Sequence, residues 1–330
     1  MKRIGDIPEI KKLAKVGKAI TPHGNKLLDA ITAIRLDPDK ADAAYMARQL
    51  VQCTLPHRNP GNDKPAWTRT NGGLTLSIKP GSDEVGKTFG YPYGSIPRLL
   101  LFWMTTEAVK TKSRRLELGH NLSDFMLAVG LNPNNGSSGA KRSDARRLRE
   151  QMRRLFKATI GFHESVREEH RHGERWLDMQ IAPIGEFWWD PKQPQQSVLW
   201  GSWIELGEKF FQAITAYPIP VDTRALKALK RSPLALDVYA LAVYKAFMAN
   251  KHKAPQFIPW DGLLEQLGAN YDPERIDKFK TELRPKLIRV AECFPERLKY
   301  EWQRDGLTFL PGTKLPISPS AKKLPVGDYR

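Results

Sequence analysis

The pattern of apolar and polar positions divides the chain into short helices and strands. Near the N-terminus it predicts helices over Gly24–Ile34 and Asp39–Thr54. A β-hairpin follows, in which Trp67–Thr70 and Leu74–Ile78 flank the turn Asn71-Gly72-Gly73. The second strand of this hairpin alternates apolar and polar residues, as expected for a strand with one buried face.

The next stretch contains a helix, a strand, a second helix and a strongly basic third helix, followed by strands. These elements are predicted over Pro97–Thr111, Arg115–Leu118, Ser123–Val129, Ser143–Lys157, Ile160–Arg167, Arg175–Ile181, Phe187–Trp189 and Ser197–Leu206. After residue 220 a shorter version of the same order recurs, over Thr223–Leu229, Pro233–Ala249, Phe257–Pro259, Asp261–Leu267, Glu274–Val290, Leu298–Gln303 and Leu307–Leu310. Helix, strand, helix, basic helix and hairpin is the order of a winged helix-turn-helix. We therefore expect an α+β fold with two tandem winged helix-turn-helix domains, preceded by an N-terminal helical and hairpin segment.

This repeated order predicts four segments. The N-terminal helices and hairpin occupy residues 1–84, the first winged-helix domain 85–220 and the second 221–312. The Pro-rich remainder, residues 313–330, is predicted to be a flexible tail.

Composition agrees with folded domains and adds a strong positive charge. The chain has 330 residues, of which 41% are hydrophobic and 27% charged, and its formal net charge is +17. Residues 86–160 hold 14 basic and five acidic side chains, residues 161–221 hold five and nine, and residues 222–330 hold 20 and 13. Such an excess indicates a polyanionic partner, either nucleic acid or an anionic membrane surface. Because the basic blocks flank an acidic one, we expect the polyanion to be bound at two places.

Cysteine usage and hydropathy indicate a soluble protein of the cytoplasm. Cys53 and Cys293 lie far apart, so we predict neither a disulfide framework nor a zinc site. The N-terminus lacks the continuous apolar run of a signal peptide, and the longest apolar run, Leu99–Met104, is too short to cross a bilayer. We expect no membrane partner.

The first basic helix carries the strongest chemical signal. At about 100° per residue, one side collects the apolar residues Leu148, Met152, Leu155, Phe156 and Thr159. A row of cations lies about a third of a turn away, and the residues predicted to contact DNA here are Lys141, Arg142, Arg146, Arg149, Arg153 and Lys157. Arginine forks match paired acceptors on guanine and on phosphate. A solvated charged face is the alternative, but only two acidic residues offset eight basic ones between 141 and 157.

The second basic helix is less one-sided. The residues predicted to contact DNA here, as the second half of a repeated unit, are Lys278, Lys280, Arg284, Lys286 and Arg289. Four acidic residues in and just after the helix dilute this charge, and Pro285 interrupts the backbone hydrogen bonds. A helix with a purely structural role is the alternative.

Motifs for catalysis or cofactor binding are weak. Residues Gly81–Thr88 match the P-loop pattern, but the Gly- and Pro-containing residues after them cannot begin the helix that a phosphate cradle needs. His170 and His172 could form a nicking site with Tyr239 or Tyr244 as the nucleophile, but the histidines fall in an Arg/Glu-rich turn rather than on a buried strand. We therefore expect no enzyme activity, no catalytic residues, no metal and no cofactor.

Six short strings occur in a specific order and at specific spacings. They are Leu55–Arg58, Trp67–Gly72, Pro92–Arg98, Thr106–Ala108, Leu118–Gly119 and Arg149–Phe156. Together they resemble the RepA-type plasmid replication initiators, over about residues 45 to 310. The spacing of Phe279, Lys280, Leu283, Pro285 and Leu287 is also similar to the second winged helix of the wider initiator class, where a proline interrupts the recognition helix.

The resemblance implies a bacterial cytoplasmic protein that binds repeated double-stranded DNA sites, or iterons, at a plasmid origin. It also implies opening of an adjacent AT-rich stretch and recruitment of host replication proteins such as the helicase or its loader. Better-known members dimerise through the first winged-helix domain, and this sequence is compatible with a monomer or a dimer.

Two other functions are open alternatives, and the first of them would use the same helices. A transcriptional repressor of its own gene would bind a single inverted repeat without melting it, so footprinting on direct and inverted repeats separates it from an initiator. A rolling-circle nicking enzyme would leave a tyrosine joined to a 5′ phosphate and would relax supercoiled origin DNA in magnesium or manganese.

Overall fold

The computed structural model of the chain describes residues 22–119, 122–131, 133, 144–168, 171–188, 201–268 and 271–317. Helices and short antiparallel sheets alternate along these residues, which confirms the predicted α+β class. Within the described ranges, no helix has the length and apolar character needed to cross a membrane. Of the predicted tail, residues 318–330 lie outside the described ranges.

The N-terminal segment contributes helices and three strands. Its elements are α1 (Pro22–Leu36), β1 (Ala43–Ala47), α2 (Arg48–Gln52), β2 (Trp67–Asn71) and β3 (Leu74–Lys79). The predicted hairpin β2–β3 is confirmed, with Trp67 opposite Ile78 and Asn71 opposite Leu74. Gly72 in its turn has a φ of +58°, a conformation that glycine adopts without strain.

The helix predicted over Asp39–Thr54 is wrong. Pro38–Lys40 forms one 3₁₀ turn, β1 follows it, and only the short α2 is helical. Strand β1 pairs antiparallel with Pro218–Asp222, far along the chain, and this pairing buries Ala44 and Met46. The alanine-rich composition favours a helix locally, but the long-range pairing overrides it.

The first winged-helix unit has the predicted element order. Its elements are α3 (Ser95–Thr111), β4 (Arg115–Glu117), α4 (Leu122–Ala128), α5 (Asp144–Phe156), β5 (Thr159–Glu168) and β6 (Arg171–Gln180). The wing strands β5 and β6 pair from Thr159 opposite Gln180 to Glu168 opposite Arg171. Strand β3 pairs with β5, so the N-terminal hairpin and the wing form one sheet in the order β2-β3-β5-β6.

A smaller sheet and two connecting elements lie between the units. Next in the chain are β7 (Ile184–Glu186), β8 (Trp203–Glu205), α6 (Glu208–Ala216) and β9 (Pro218–Asp222). Strands β4, β8 and β7 form a sheet in the order β4-β8-β7, so β4 does not join the wing.

Sequence patterns placed the elements between the units poorly. The strand predicted over Phe187–Trp189 is shifted to β7, and in the described part of Ser197–Leu206 only β8 is a strand. The pattern also missed α6, which Phe210 and Ile214 anchor. Pro218 and Pro220 obscured β9, because proline is unusual within paired strands.

The second winged-helix unit follows the prediction closely. Its elements are α7 (Thr223–Leu229), α8 (Pro233–His252), β10 (Gln256–Pro259), α9 (Trp260–Leu267), α10 (Ile276–Glu292), β11 (Tyr300–Trp302) and β12 (Gly306–Phe309). The hydroxyl of Ser232 caps α8 by accepting from the N–H of Ala235 at 3.2 Å. The three strands form a sheet in the order β10-β12-β11. Helix α10 continues through the exposed Pro285.

A buried ion pair joins the two units. Arg98 on α3 is 2% exposed, and Asp237 on α8 is 8% exposed. Nε and Nη2 of Arg98 donate to Oδ1 and Oδ2 of Asp237, each at 2.7 Å. The other three N–H groups donate to the carbonyl oxygens of Leu55, Pro56 and Gly94, at 2.6, 3.1 and 2.7 Å. All five guanidinium donors therefore have an acceptor, as a buried charge requires.

A second buried arginine joins the hairpin to α9. Arg69 on β2 is 7% exposed, and its Nη1 donates to the carbonyl oxygen of Gln266 at 2.9 Å. The Gln266 amide in turn donates to the carbonyl oxygen of Val51 at 2.7 Å. Burial lowers the pKa of Arg69 to about 10, although the charge of Asp237 opposes this shift. The N-terminal segment thus holds the first helix of the second helix-turn-helix.

His57 completes the buried network. Its Nε2 lies 2.8 Å from Oδ2 of Asp237, and because a carboxylate only accepts, Nε2 carries the proton. Burial, partly offset by the hydrogen bond to Asp237, lowers the pKa of His57 below its usual 6.5. The imidazole is therefore neutral in the folded protein at neutral pH.

We expect Arg98→Met to lower the free energy of unfolding by about 3–5 kcal/mol, because Asp237 would lose its cation while staying buried. Urea denaturation monitored by circular dichroism measures this loss. The control is Lys40→Met, which breaks the exposed pair between Lys40 and Asp37, 3.3 Å apart. This control should change stability by less than about 0.5 kcal/mol, and equal losses in both variants would contradict the assignment.

We expect the free energy of unfolding to fall as the pH drops below 6.5, in part because of His57. The unfolded imidazole takes up a proton near its usual pKa of 6.5, whereas the folded one resists protonation until its lower pKa is reached. His57→Gln keeps a donor toward Asp237 but cannot titrate, so it should lose less stability between pH 7.5 and 5.5. Urea denaturation at both pH values tests this, and an identical loss in the two proteins would count against it.

Candidate nucleic-acid interface

The apolar side of α5 is buried, as the periodicity predicts. Four side chains pack into the core and are at most 3% exposed: Leu148, Met152, Leu155 and Phe156. On the same side, Oε1 of Gln151 accepts from the backbone N–H of Tyr93 at 3.0 Å. Thr159, which was expected to extend this side, is instead the first residue of β5. These contacts fix the rotation of α5 about its axis.

The cations of α5 lie about a third of a turn from this buried side. Arg146, Arg153 and Lys157 are exposed, and Arg149 beside them is half-buried. Burial first, and then the charges of Arg153 and Arg146, lower the pKa of Arg149. The guanidinium groups are therefore close enough to repel one another, an arrangement that a polyanion stabilises.

Of the other basic residues in this segment, two were predicted to contact DNA and two were not. Lys141 and Arg142 were predicted to extend the cationic row, but they lie outside the described residues. Arg147 pairs with Asp144 at 3.3 Å. Arg154 pairs with Glu150 at 2.6 Å and also donates to the carbonyl oxygen of Tyr91. These two arginines, which were not predicted as DNA contacts, have partners within the protein.

The P-loop-like string Gly81–Thr88 packs beside α5 and forms no phosphate cradle. Oδ1 of Asp83 accepts from the N–H groups of Val85 and Lys87, at 3.2 and 2.8 Å. These amides would have to face a phosphate in a P-loop, and here they are already satisfied. At Gly81, a Cβ would lie 2.4 Å from the carbonyl oxygen of Lys157, so the loop touches the end of α5 closely.

The wing presents polar groups and one tryptophan to solvent. Trp176 on β6 is 69% exposed and lies opposite His163 on β5. Nε2 of His163 is 3.3 Å from the Ser77 hydroxyl, and the Lys79 ammonium is 3.1 Å from Asp178. Among the described side chains on this side of the four-stranded sheet, Trp176 thus lies among polar groups.

Like α5, helix α10 has a buried apolar side and a side that carries cations. Its buried side consists of Phe279, Leu283, Leu287 and Val290. Among the predicted contacts, Lys278, Arg284 and Arg289 are exposed, whereas Lys280 and Lys286 are half-buried. Three of the five predicted cations on the second helix are thus exposed to solvent.

Two cations of α10 pack against tryptophans of their own unit, one on α9 and one on β11. The Lys280 ammonium lies 5.3 Å from the Trp260 ring centroid and 3.6 Å from the Asp277 carboxylate. The Arg284 guanidinium lies 5.6 Å from the Trp302 ring, and the two tryptophan rings are 4.4 Å apart. Cation–π contacts of this kind orient the side chains while leaving part of each charge accessible.

Of the residues considered for a nicking reaction, the two tyrosines lie on α8, and the side chains of the two histidines lie outside the described part of the structure. Tyr239 is completely buried, its hydroxyl oxygen accepts from the N–H of Asp222, and burial raises its pKa well above the usual value. Tyr244 is half-buried on the same helix. His170 lies outside the described residues, and only the backbone of His172 is described. Across the described ranges, no group of three or more His, Cys, Asp and Glu side chains could hold a metal.

Comparison with known proteins gives a family match and structural neighbours. Two of these neighbours are crystal structures of domains 2 and 3 of RctB. One is 12% identical with a TM-score of 0.44 and covers 77% of this chain and 93% of the other. The second is 13% identical with a TM-score of 0.42 and covers 79% and 94%. No curated protein matches the chain.

The family model for plasmid-encoded RepA protein matches residues 91–262. This range begins just before α3, includes the cationic row of α5 and the Arg98–Asp237 pair, and ends within α9. It spans more than half of the 330 residues. The chain therefore belongs to the plasmid RepA protein family.

Proposed function

We propose that this protein initiates plasmid replication in the bacterial cytoplasm by binding repeated double-stranded DNA sites at the origin. The observation that carries the proposal is the division of α5 into a sealed apolar side and an accessible side bearing Arg146, Arg149, Arg153 and Lys157. Such a helix can enter a major groove, where arginine forks meet guanine and phosphate acceptors. Membership of the plasmid RepA family supports this role.

The second recognition helix, α10, would bind the adjacent half-site. The buried contacts of Arg98 with Asp237 and of Arg69 with Gln266 tie the two units together. Helices held in this way would enter successive major grooves about one helical turn apart, with the wings along the phosphates. The DNA site would therefore have a fixed spacing between its halves.

Origin opening would use binding energy rather than covalent chemistry by this chain. Several copies on adjacent repeats would bend or untwist the duplex, and flexible TA-rich steps would yield first. The burial of Tyr239 supports a mechanism without a tyrosine nucleophile. Host replication proteins, such as the helicase or its loader, would then enter at the opened strands.

Arg149→Ala should weaken binding to origin repeats by about 1–3 kcal/mol, because a groove contact is lost while the buried side of α5 is untouched. A gel-shift titration against the repeats flanking the gene measures the change. The matched control is Lys209→Ala, which removes one exposed charge from α6. An affinity for the repeats that does not change in Arg149→Ala would place the interface elsewhere.

Inserting about 5 base pairs between the two halves of a repeat should abolish specific binding, because half a helical turn moves one half-site to the opposite side of the duplex. Inserting about 10 base pairs returns the two half-sites to the same side of the duplex but doubles the distance between them. The joined units should therefore still fail to bind both half-sites. Footprinting on the three duplexes tests this. Full protection of both halves in either insertion would show that the units bind independently.

A further inference from the structure

Four cations lie together beside the residues just after α4. Lys26 lies near the start of α1, Lys227 on α7, and Lys230 and Arg231 in the turn before α8. The Lys230 ammonium donates to the carbonyl oxygen of Gly130, just after α4, at 2.6 Å. We call these four residues the junction cluster. None of them belongs to either recognition helix.

The junction cluster lies at the amino-terminal end of α5. Lys227 also approaches Gly130, since its Cγ is 3.7 Å from where a Cβ of that glycine would be. Burial first, and then the charge of Lys26, lower the pKa of Lys230, whereas Asp144, the first residue of α5, raises it. The charges of Arg231 and Lys227 lower it further. The four cations therefore share one local field beside the start of the recognition helix.

The four positive charges of the junction cluster outnumber the one carboxylate, Asp144, that opposes them at Lys230. Within the described part of the chain, no ion pair joins any of the four cations to a carboxylate, and Asp144 pairs with Arg147. Lys26, Lys227 and Arg231 are exposed. Like charges at this density repel unless a counter-charge is present.

Helix dipoles account for only part of this arrangement. The carboxyl-terminal end of α7 attracts Lys227 and Lys230, as it would on any helix. Lys26, however, is the fifth residue of α1 and lies beyond the first turn, so neither end of that helix accounts for its position. The like charges of the junction cluster therefore form a field that suits an anion.

We propose that Lys26, Lys227 and Arg231 bind backbone phosphates of the same duplex whose major groove receives α5, while Lys230 positions them by its bond to Gly130. This inference rests on the proposed DNA-binding function. The amino-terminal end of a recognition helix lies deepest in the groove, so phosphates pass beside it. Contacts of this kind fix the register of the protein on DNA without reading sequence.

The test measures how binding depends on salt, using the full chain, an origin-repeat duplex and a scrambled duplex. For Lys227→Ala/Arg231→Ala, the slope of log Kobs against log salt should become less steep by about 1.8, or about 0.9 per lost phosphate contact. Affinity should fall by the same factor on both duplexes, because phosphate contacts carry no sequence information. Thermal unfolding of each variant confirms that it is folded.

Lys26→Ala and Lys40→Ala form a matched pair. Both remove one lysine charge, but Lys40 follows the opposite end of α1, about 20 Å away along the helix. The first should flatten the slope by about 0.9 and the second should leave it unchanged. An unchanged slope in the double variant, with a wild type that binds the repeats, overturns this inference alone.

Two further outcomes would also overturn it. If inorganic phosphate raises the melting temperature of the wild type but not of the double variant, and the DNA slope is unchanged, the junction cluster is a small-anion site. If the wild type binds neither duplex, the proposed function and this inference both fail.

Discussion

The bidentate contact between Arg98 and Asp237 constrains how the two winged-helix units can be arranged. Removing two charges from water costs several kcal/mol per ion, so the pair is tolerable only when every donor finds an acceptor. Those acceptors come from residues 55–56, from the start of α3 and from α8. No single unit supplies all of them. The buried charge is therefore satisfied only when the N-terminal segment and both units are assembled together.

The rigid attachment of the two units to each other determines how selective their exposed cations can be. A cationic helix on a loosely tethered unit would bind any polyanion, whereas two such helices at a fixed separation discriminate by spacing. Arg69 reinforces the frame, because it ties β2 to the carboxyl-terminal end of α9, the helix that precedes α10. The conformational entropy of the two units is thus lost on folding rather than on binding, so less of the binding energy of any shared ligand would be spent on ordering them.

Sequence periodicity predicted the parts of the fold that are local. The rotation of α5, the limits of Thr223–Leu229 and the hairpin at Gly72 each depend on neighbouring residues. The pairing of β1 with β9 depends on residues far apart, and a local helical preference concealed it. The sequence indicates the buried ion pair of Arg98 and Asp237 only in part. Each is a charge within an apolar helical run and so requires a partner, but sequence alone does not say which one.

The difference between local patterns and long-range contacts also explains why the candidate interface was only partly predicted. The cations of α5 repeat at helical spacing, so one stretch of sequence shows that they share a side. The junction cluster combines Lys26 with Lys227 and Arg231, which the packing of α1 on α7 brings together. The net charge of each segment does not locate the junction cluster, because acidic residues of segment 161–221 pair with other basic residues. Glu205, for example, pairs with Arg114 at 2.8 Å. A cation's availability to DNA is decided by which carboxylates the fold places beside it, and only tertiary structure shows that.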